Sequence, residues 1–107
     1  MNTINKSFKQ INLKYKNYNL VCYDSQIGDI TLFLLNGGPG LPCNYLREPH
    51  YEHLVNNGIR IVTYDQLGCG QSSKPKDISL WSIDRYVEEL EFVRNELNLG
   101  KLNLLGH

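Results

Sequence analysis

Apolar and polar positions alternate along the first third of the chain. FKQINLKY (Phe8–Tyr15) and YNLVCYD (Tyr18–Asp24) carry the period of half-buried strands, and the Lys16-Asn17 pair between them tolerates tight-turn angles, so the pattern predicts a β-hairpin. SQIGD then breaks the alternation. ITLFLL (Ile30–Leu35) is almost continuously apolar, as suits a strand covered on both faces. After NGGPG (Asn36–Gly40), a mostly polar segment predicts a short helix with Pro49 as its first helical residue, Leu54 and Val55 as its apolar contacts and Gly58 as its stop. IRIVTYD (Ile59–Asp65) reads as a second buried strand, followed by the glycine-broken loop QLGCGQSSKPKD.

The period changes from Ser82. Ile83, Tyr86, Val87, Leu90, Val93 and Leu97 fall at helical spacing, with Ser82 as N-cap, Asp84 in the first turn and Gly100 beyond the end. LNLL (Leu102–Leu105) closes the series as a third short buried strand, running into Gly106-His107. A hairpin followed by β-α-β-α-β, with helices between apolar strands, predicts an α/β fold whose parallel sheet has helices on both faces. A complete sheet of this kind has more strands, so residues 1–107 are expected to be the N-terminal part of a single domain.

Composition narrows the possible partners. Eleven Lys plus Arg balance eleven Asp plus Glu in 107 residues, with no basic block, which gives no electrostatic footprint for nucleic acid or an anionic membrane. The N-terminal twenty residues contain no continuous apolar stretch, so neither a secretory signal nor a membrane span is expected. Cys22, Cys43 and Cys69 are odd in number and far apart. They read as free thiols of a reducing compartment, with the cytoplasm as the expected location.

Two glycine-rich loops carry the candidate chemistry. NGGPG follows a buried parallel strand, where open α/β sheets bind ligands. Its adjacent glycines let backbone N–H groups approach an anionic atom, and Pro39 stiffens the loop. Such a loop can preorganise a donor for the oxyanion of acyl transfer, although a plain strand-to-helix turn would look the same. DQLGCGQS (Asp65–Ser72) resembles the start of a dinucleotide fingerprint, but Ser73 replaces the third glycine and Pro75 prevents a helix from opening there. Its other reading is structural: Gly68 and Gly70 take positive φ while Asp65 and Ser72 satisfy nearby backbone groups. His50 and His53 have a metal-ligand spacing without a third ligand, and Cys69 has no placed base. These read as packed or solvated side chains, and Trp81 and Tyr86 as core or interface aromatics. No metal, nucleotide or other cofactor is expected.

Taken together, N-G-G-P-G, D-Q-x-G-x-G-x-S, the helix SIDRYVEELEFVR and a strand ending in G-H resemble the α/β-hydrolase fold, and within it the proline iminopeptidases and related serine aminopeptidases. Asn36 stands where many members have His. The resemblance implies an oxyanion-hole donor at the backbone N–H of Gly38, shaped by Gly37, Pro39 and Gly40, and a supporting loop at Asp65, Gly68, Gly70 and Ser72. It also implies that Gly106 and His107 open the nucleophile elbow G-x-S-x-G, with the serine directly after His107 and the acid and base further on. His107 is therefore an elbow residue and not the triad base, and no catalytic side chain lies within the 107 residues. The implied reaction is release of N-terminal proline, or a similar residue, from a peptide substrate. A non-catalytic or docking remnant of the same fold is the alternative, as is another α/β hydrolase such as an esterase, amidase or epoxide hydrolase. The family's strand order puts Leu102–Leu105 beside Ile30–Leu35 with its other edge unpaired here, so self-association through that edge is expected.

Overall fold

The computed structural model describes residues 8–37 and 42–107; within the first helix the side chains of Leu46, Arg47, Pro49 and His50 lie outside that description. β1 (Lys9–Tyr15) and β2 (Tyr18–Asp24) pair antiparallel, from Lys9 opposite Asp24 to Tyr15 opposite Tyr18. Lys16 and Asn17 join them at φ values of 47° and 67°. Two left-handed residues in succession make the turn whose twist matches that of the strands.

β3 (Ile30–Leu35), β4 (Ile59–Asp65) and β5 (Asn103–Gly106) complete a five-stranded sheet of order β1-β2-β4-β3-β5. β3 is parallel to both β4 and β5, while β2 meets β4 antiparallel, so the sheet is mixed. Alternation along β3 and β4 sorts the core into two layers. Phe33, Val62 and Tyr64 pack on one face with Leu90, Phe92 and Val93 of helix α2 (Ile83–Glu96) and with Leu97 just beyond it. Leu34 and Ile61 face the other way, onto Tyr51, Leu54 and Val55 of helix α1 (Asn44–Asn56).

Three expectations from the sequence are corrected here. Helix α1 opens at Asn44 rather than at Pro49, which lies inside it. The Cys43 side chain does not cap that helix; instead the Cys43 N–H donates to Asp65 Oδ1 at 2.8 Å, and a carboxylate from a distant strand satisfies the free amide. In α2, Ser82 caps as expected through Oγ to the Arg85 N–H (3.2 Å), but the buried face is set differently. Arg85, Glu89 and Val93 are buried, whereas Ile83 and Val87 of the predicted apolar stripe are 72% and 57% exposed. β5, expected to be buried, is exposed along its whole length, because it pairs only with β3 and no helix among the described elements covers it.

A cross-strand ion pair ties β2 to β4. Arg60 Nε and Nη2 donate to Asp24 Oδ1 and Oδ2 at 2.9 and 2.6 Å, and the Gln26 N–H adds a third bond to Oδ1 at 2.8 Å. Burial alone would raise the Asp24 pKa, but these donors and the guanidinium charge outweigh it and hold the carboxyl below the usual carboxylate range. A folded pKa below the unfolded value of about 3.9 adds stability that is complete above about pH 5 and disappears as pH falls through the folded pKa. Asp24→Asn should therefore cost about 1.5–3 kcal/mol at neutral pH and much less near pH 2, as read by urea denaturation at the two pH values.

Candidate active site at the ends of the parallel strands

Parallel pairing brings the carboxyl ends of β3, β4 and β5 to one edge of the sheet, where open α/β sheets place their ligand sites. The β3–β5 ladder sets Leu35 opposite Gly106 and continues through the His107 N–H to the Leu35 carbonyl at 3.1 Å. This register places His107 beside Gly37. The Gly37 N–H donates to Tyr45 Oη at 2.6 Å, and Tyr45 Oη lies 2.7 Å from His107 Nδ1. The two rings meet edge to face with centroids 5.5 Å apart. A Cβ on residue 37 would stand 2.9 Å from His107 Nδ1 and 3.1 Å from Tyr45 Oη, closer than side-chain carbons pack. Glycine is required here by proximity rather than by an unusual φ. Its amide is already engaged by Tyr45. Gly38, Pro39 and Gly40, the remaining predicted oxyanion-loop residues, lie outside the described residues.

Asp65 ends β4 and is 3% exposed. Besides Cys43, its carboxylate accepts from the Gln71 N–H at 2.9 Å and the Tyr23 hydroxyl at 3.4 Å, both on Oδ2. A carboxylate held by this many internal donors is fixed in place as a structural junction. Gly70 curls over it at φ +50°, and a Cβ there would overlap the carboxyl group. Gly68 is also at positive φ, +94°. Ser72 Oγ donates to the Asp65 carbonyl at 2.5 Å and accepts from the Val21 N–H at 2.9 Å. Ser73 exchanges two bonds with Asn19, so the loop is fastened to β2. Asp65, Gly68, Gly70 and Ser72 thus sit in one closed turn, with the Asp65 carboxylate and the Ser72 hydroxyl directed inward.

A further buried carboxylate was not apparent from the sequence. Glu89 is fully buried, accepting from the Tyr64 hydroxyl at 2.6 Å, Arg85 Nη1 at 2.7 Å and the Leu67 N–H at 3.2 Å. Arg85 Nε donates to the Leu80 carbonyl at 2.6 Å, and its guanidinium carbon lies 4.2 Å from the centre of the Tyr86 ring. Burial and the Glu89 charge push the Tyr64 pKa well above the ordinary tyrosine value, so its hydroxyl remains a donor. The i, i+4 spacing of Arg85 and Glu89, continued by Val93, was the available signal, but charged positions on a helix are usually solvated.

The other candidates stay apart. Cys22, Cys43 and Cys69 are buried free thiols, and burial with nearby Cys43, Asp65 and Glu89 pushes the Cys22 pKa up to about 12. The His53 side chain is exposed, and that of His50 lies outside the described residues. Among the described residues no three His, Cys, Asp or Glu side chains converge as metal ligands, and no helix is long and apolar enough to cross a membrane. Trp81 and Tyr86 stack with centroids 6.4 Å apart and, with Ser82 and Ile83, line an open pocket of about 340 Å³.

Comparison with known proteins places this arrangement in context. The family model described as alpha/beta hydrolase fold matches residues 30–107. Proline iminopeptidase of Lactiplantibacillus plantarum is 42% identical over 92 residues, covering 86% of this chain and 32% of the relative. That of Lactobacillus helveticus is 49% identical over 76 residues, covering 70% and 26%. The crystal structure of a proline iminopeptidase-related protein from Thermus thermophilus superposes with a TM-score of 0.80 at 30% identity, over 94% of this chain and 36% of that one. The chain therefore spans about a third or less of the length of these proteins. An epoxide hydrolase from Vigna radiata, at 21% identity and a TM-score of 0.79 over 96% of this chain and 32% of its own, shares the fold.

Glu89→Gln tests the buried carboxylate. It preserves shape and an acceptor for Tyr64 but leaves the Arg85 charge unpaired in the interior, which costs about 3–5 kcal/mol. Chemical denaturation should show that loss. Much of it should return in Glu89→Gln combined with Arg85→Met, where no charge is left unpaired.

Proposed function

The chain belongs to the α/β-hydrolase fold family, and from that premise we propose that it is the N-terminal part of a serine aminopeptidase of the proline iminopeptidase type, acting in the cytoplasm. The observation that carries the reading is the identity of 42% with a proline iminopeptidase along 86% of the chain, a span that includes both glycine-rich loops. A likeness of 21% to an epoxide hydrolase speaks only for the shared fold.

In this reading the polypeptide that carries the rest of the fold cleaves the bond after an N-terminal proline or a similar small residue. A serine following His107 attacks the carbonyl carbon while a histidine further along the chain takes its proton. The tetrahedral oxygen collects negative charge and is met by two backbone donors, the Gly38 N–H and that of the residue after the serine. Collapse expels the peptide amine and leaves an acyl-enzyme, which water then hydrolyses. The Gly37 N–H takes no part in holding the oxyanion, because Tyr45 already accepts it. The 107 residues contribute the loop donor and its supports, and the nucleophile, acid, base and substrate-binding cap belong to the remainder of the fold.

Two outcomes follow. The purified 107-residue chain should not hydrolyse a prolyl-arylamide, since loss of the nucleophile alone costs about a millionfold in turnover. Saturable, inhibitor-sensitive cleavage by that chain would overturn the division of labour. In a polypeptide that carries the rest of the fold, Gly38→Pro removes the donor N–H and should lower kcat by about a hundred- to a thousandfold, checked on a variant shown by circular dichroism to be folded. Unchanged turnover would remove Gly38 from the oxyanion hole.

A further inference from the structure

Gly37, Tyr45 and His107 come from the end of β3, the first turn of α1 and the end of β5, and one hydroxyl joins them. The direction of its hydrogen bonds is constrained. A backbone N–H can only donate, so Tyr45 Oη accepts from Gly37 at 2.6 Å. Its own proton is then free to go to the atom 2.7 Å away, His107 Nδ1. A neutral imidazole that accepts at Nδ1 must carry its proton on Nε2. With the Tyr45 proton on that contact, the bridge selects the tautomer of His107 as well as its distance from the loop.

We propose that Tyr45 is a positioning residue, whose hydroxyl locks the loop after β3 to the end of β5 at one separation and fixes His107 as the Nε2–H tautomer. The consequence for catalysis rests on the reading given under Proposed function. There one oxyanion donor is Gly38, the residue after Gly37 in the chain, and the other is two residues after His107. Oxyanion stabilisation depends on donors preorganised about 2.7–3.1 Å from the developing charge, so anything that sets the gap between their carriers sets their joint fit to the transition state. Tyr45 would touch neither substrate nor nucleophile and would act only through the two backbones it joins. Two observations support a bridge over incidental packing. A Cβ at residue 37 would crowd both His107 and Tyr45. His107 is also held through its main chain by the bond to the Leu35 carbonyl, which keeps its backbone beside the end of β3.

The test begins with the chain itself. In mildly alkaline buffer, where imidazole is neutral, long-range ¹H–¹⁵N correlation should show His107 as one tautomer with Nδ1 unprotonated, and the Gly37 amide should be protected from exchange. Tyr45→Phe removes only the hydroxyl. It should leave the melting profile cooperative, give His107 averaged tautomers and raise Gly37 exchange about tenfold or more. His107→Asn is the conservative counterpart, because Oδ1 of asparagine occupies the place of Nδ1 and can accept the Tyr45 proton. It should keep Gly37 protected, whereas His107→Ala should loosen it. An unchanged tautomer and unchanged Gly37 exchange in a folded Tyr45→Phe variant would overturn the proposal.

The functional arm uses the polypeptide that carries the rest of the fold. There, Tyr45→Phe should lower kcat for a prolyl-arylamide about tenfold with KM little changed, because the lost fit is to the transition state and not to the bound substrate. Loss of the NMR signatures with kcat unchanged would reduce Tyr45 to a structural tie and overturn its positioning role. If the wild-type polypeptide itself fails to cleave the substrate, the peptidase reading falls, and the NMR arm alone decides the locking of Gly37 and His107.

Discussion

The Asp65 carboxylate joins three parts of the chain at the end of β4. It closes the first turn of α1 through the Cys43 N–H, holds the loop after β4 through the Gln71 N–H and reaches the neighbouring strand through the Tyr23 hydroxyl. Its main-chain carbonyl takes the Ser72 hydroxyl, which in turn accepts from β2. A carboxyl group buried this deeply needs hydrogen-bond partners. Three internal donors turn it into a junction. The carboxyl edge of the sheet takes its shape from that junction: α1 begins five residues before Pro49, and the glycine loop folds back over the carboxylate where only a hydrogen at Gly70 leaves room.

Glu89 performs a comparable task on the other face of the sheet. Its oxygens take the Tyr64 hydroxyl, the Leu67 N–H and the Arg85 guanidinium, which fixes α2 against the end of β4. The exposure of Ile83 and Val87 follows from this. With Arg85 and Glu89 turned inward, the helix is rotated so that those two apolar residues reach solvent. Hydrogen bonding of Arg85 and Glu89, together with the core contacts of Leu90 and Val93, orients this helix. Two buried carboxylates, one per face, thus brace β4 at the edge where the candidate site lies.

At that edge the roles of the glycine-loop residues separate. Gly37 faces inward, its amide satisfied by Tyr45 and its missing side chain replaced by the His107 ring. Donation to a substrate anion, in the reading offered here, falls to the next residue. The tyrosine lies eight residues beyond Gly37 in the chain and sixty-two before His107. Neither separation matches a local motif, and nothing in the sequence pattern marks Tyr45.

Sequence alone determined what depends on local order. The hairpin followed from alternation and an Asn-bearing turn, the strands β3 and β4 from continuous apolar runs, the Ser82 cap from its place before a periodic segment, and the family from two glycine loops at fixed positions after strands. Those features rest on interactions between near neighbours or on side-chain period, and both are written in residue order. Tertiary structure decided where α1 begins, which face of α2 is buried and how Gly37 meets His107. Each of these depends on a polar group finding a partner twenty or more residues away. A carboxylate or hydroxyl in a sequence shows its capacity to accept or donate but not its partner, and only folding brings Asp65 to Cys43, Glu89 to Tyr64 and Tyr45 to His107.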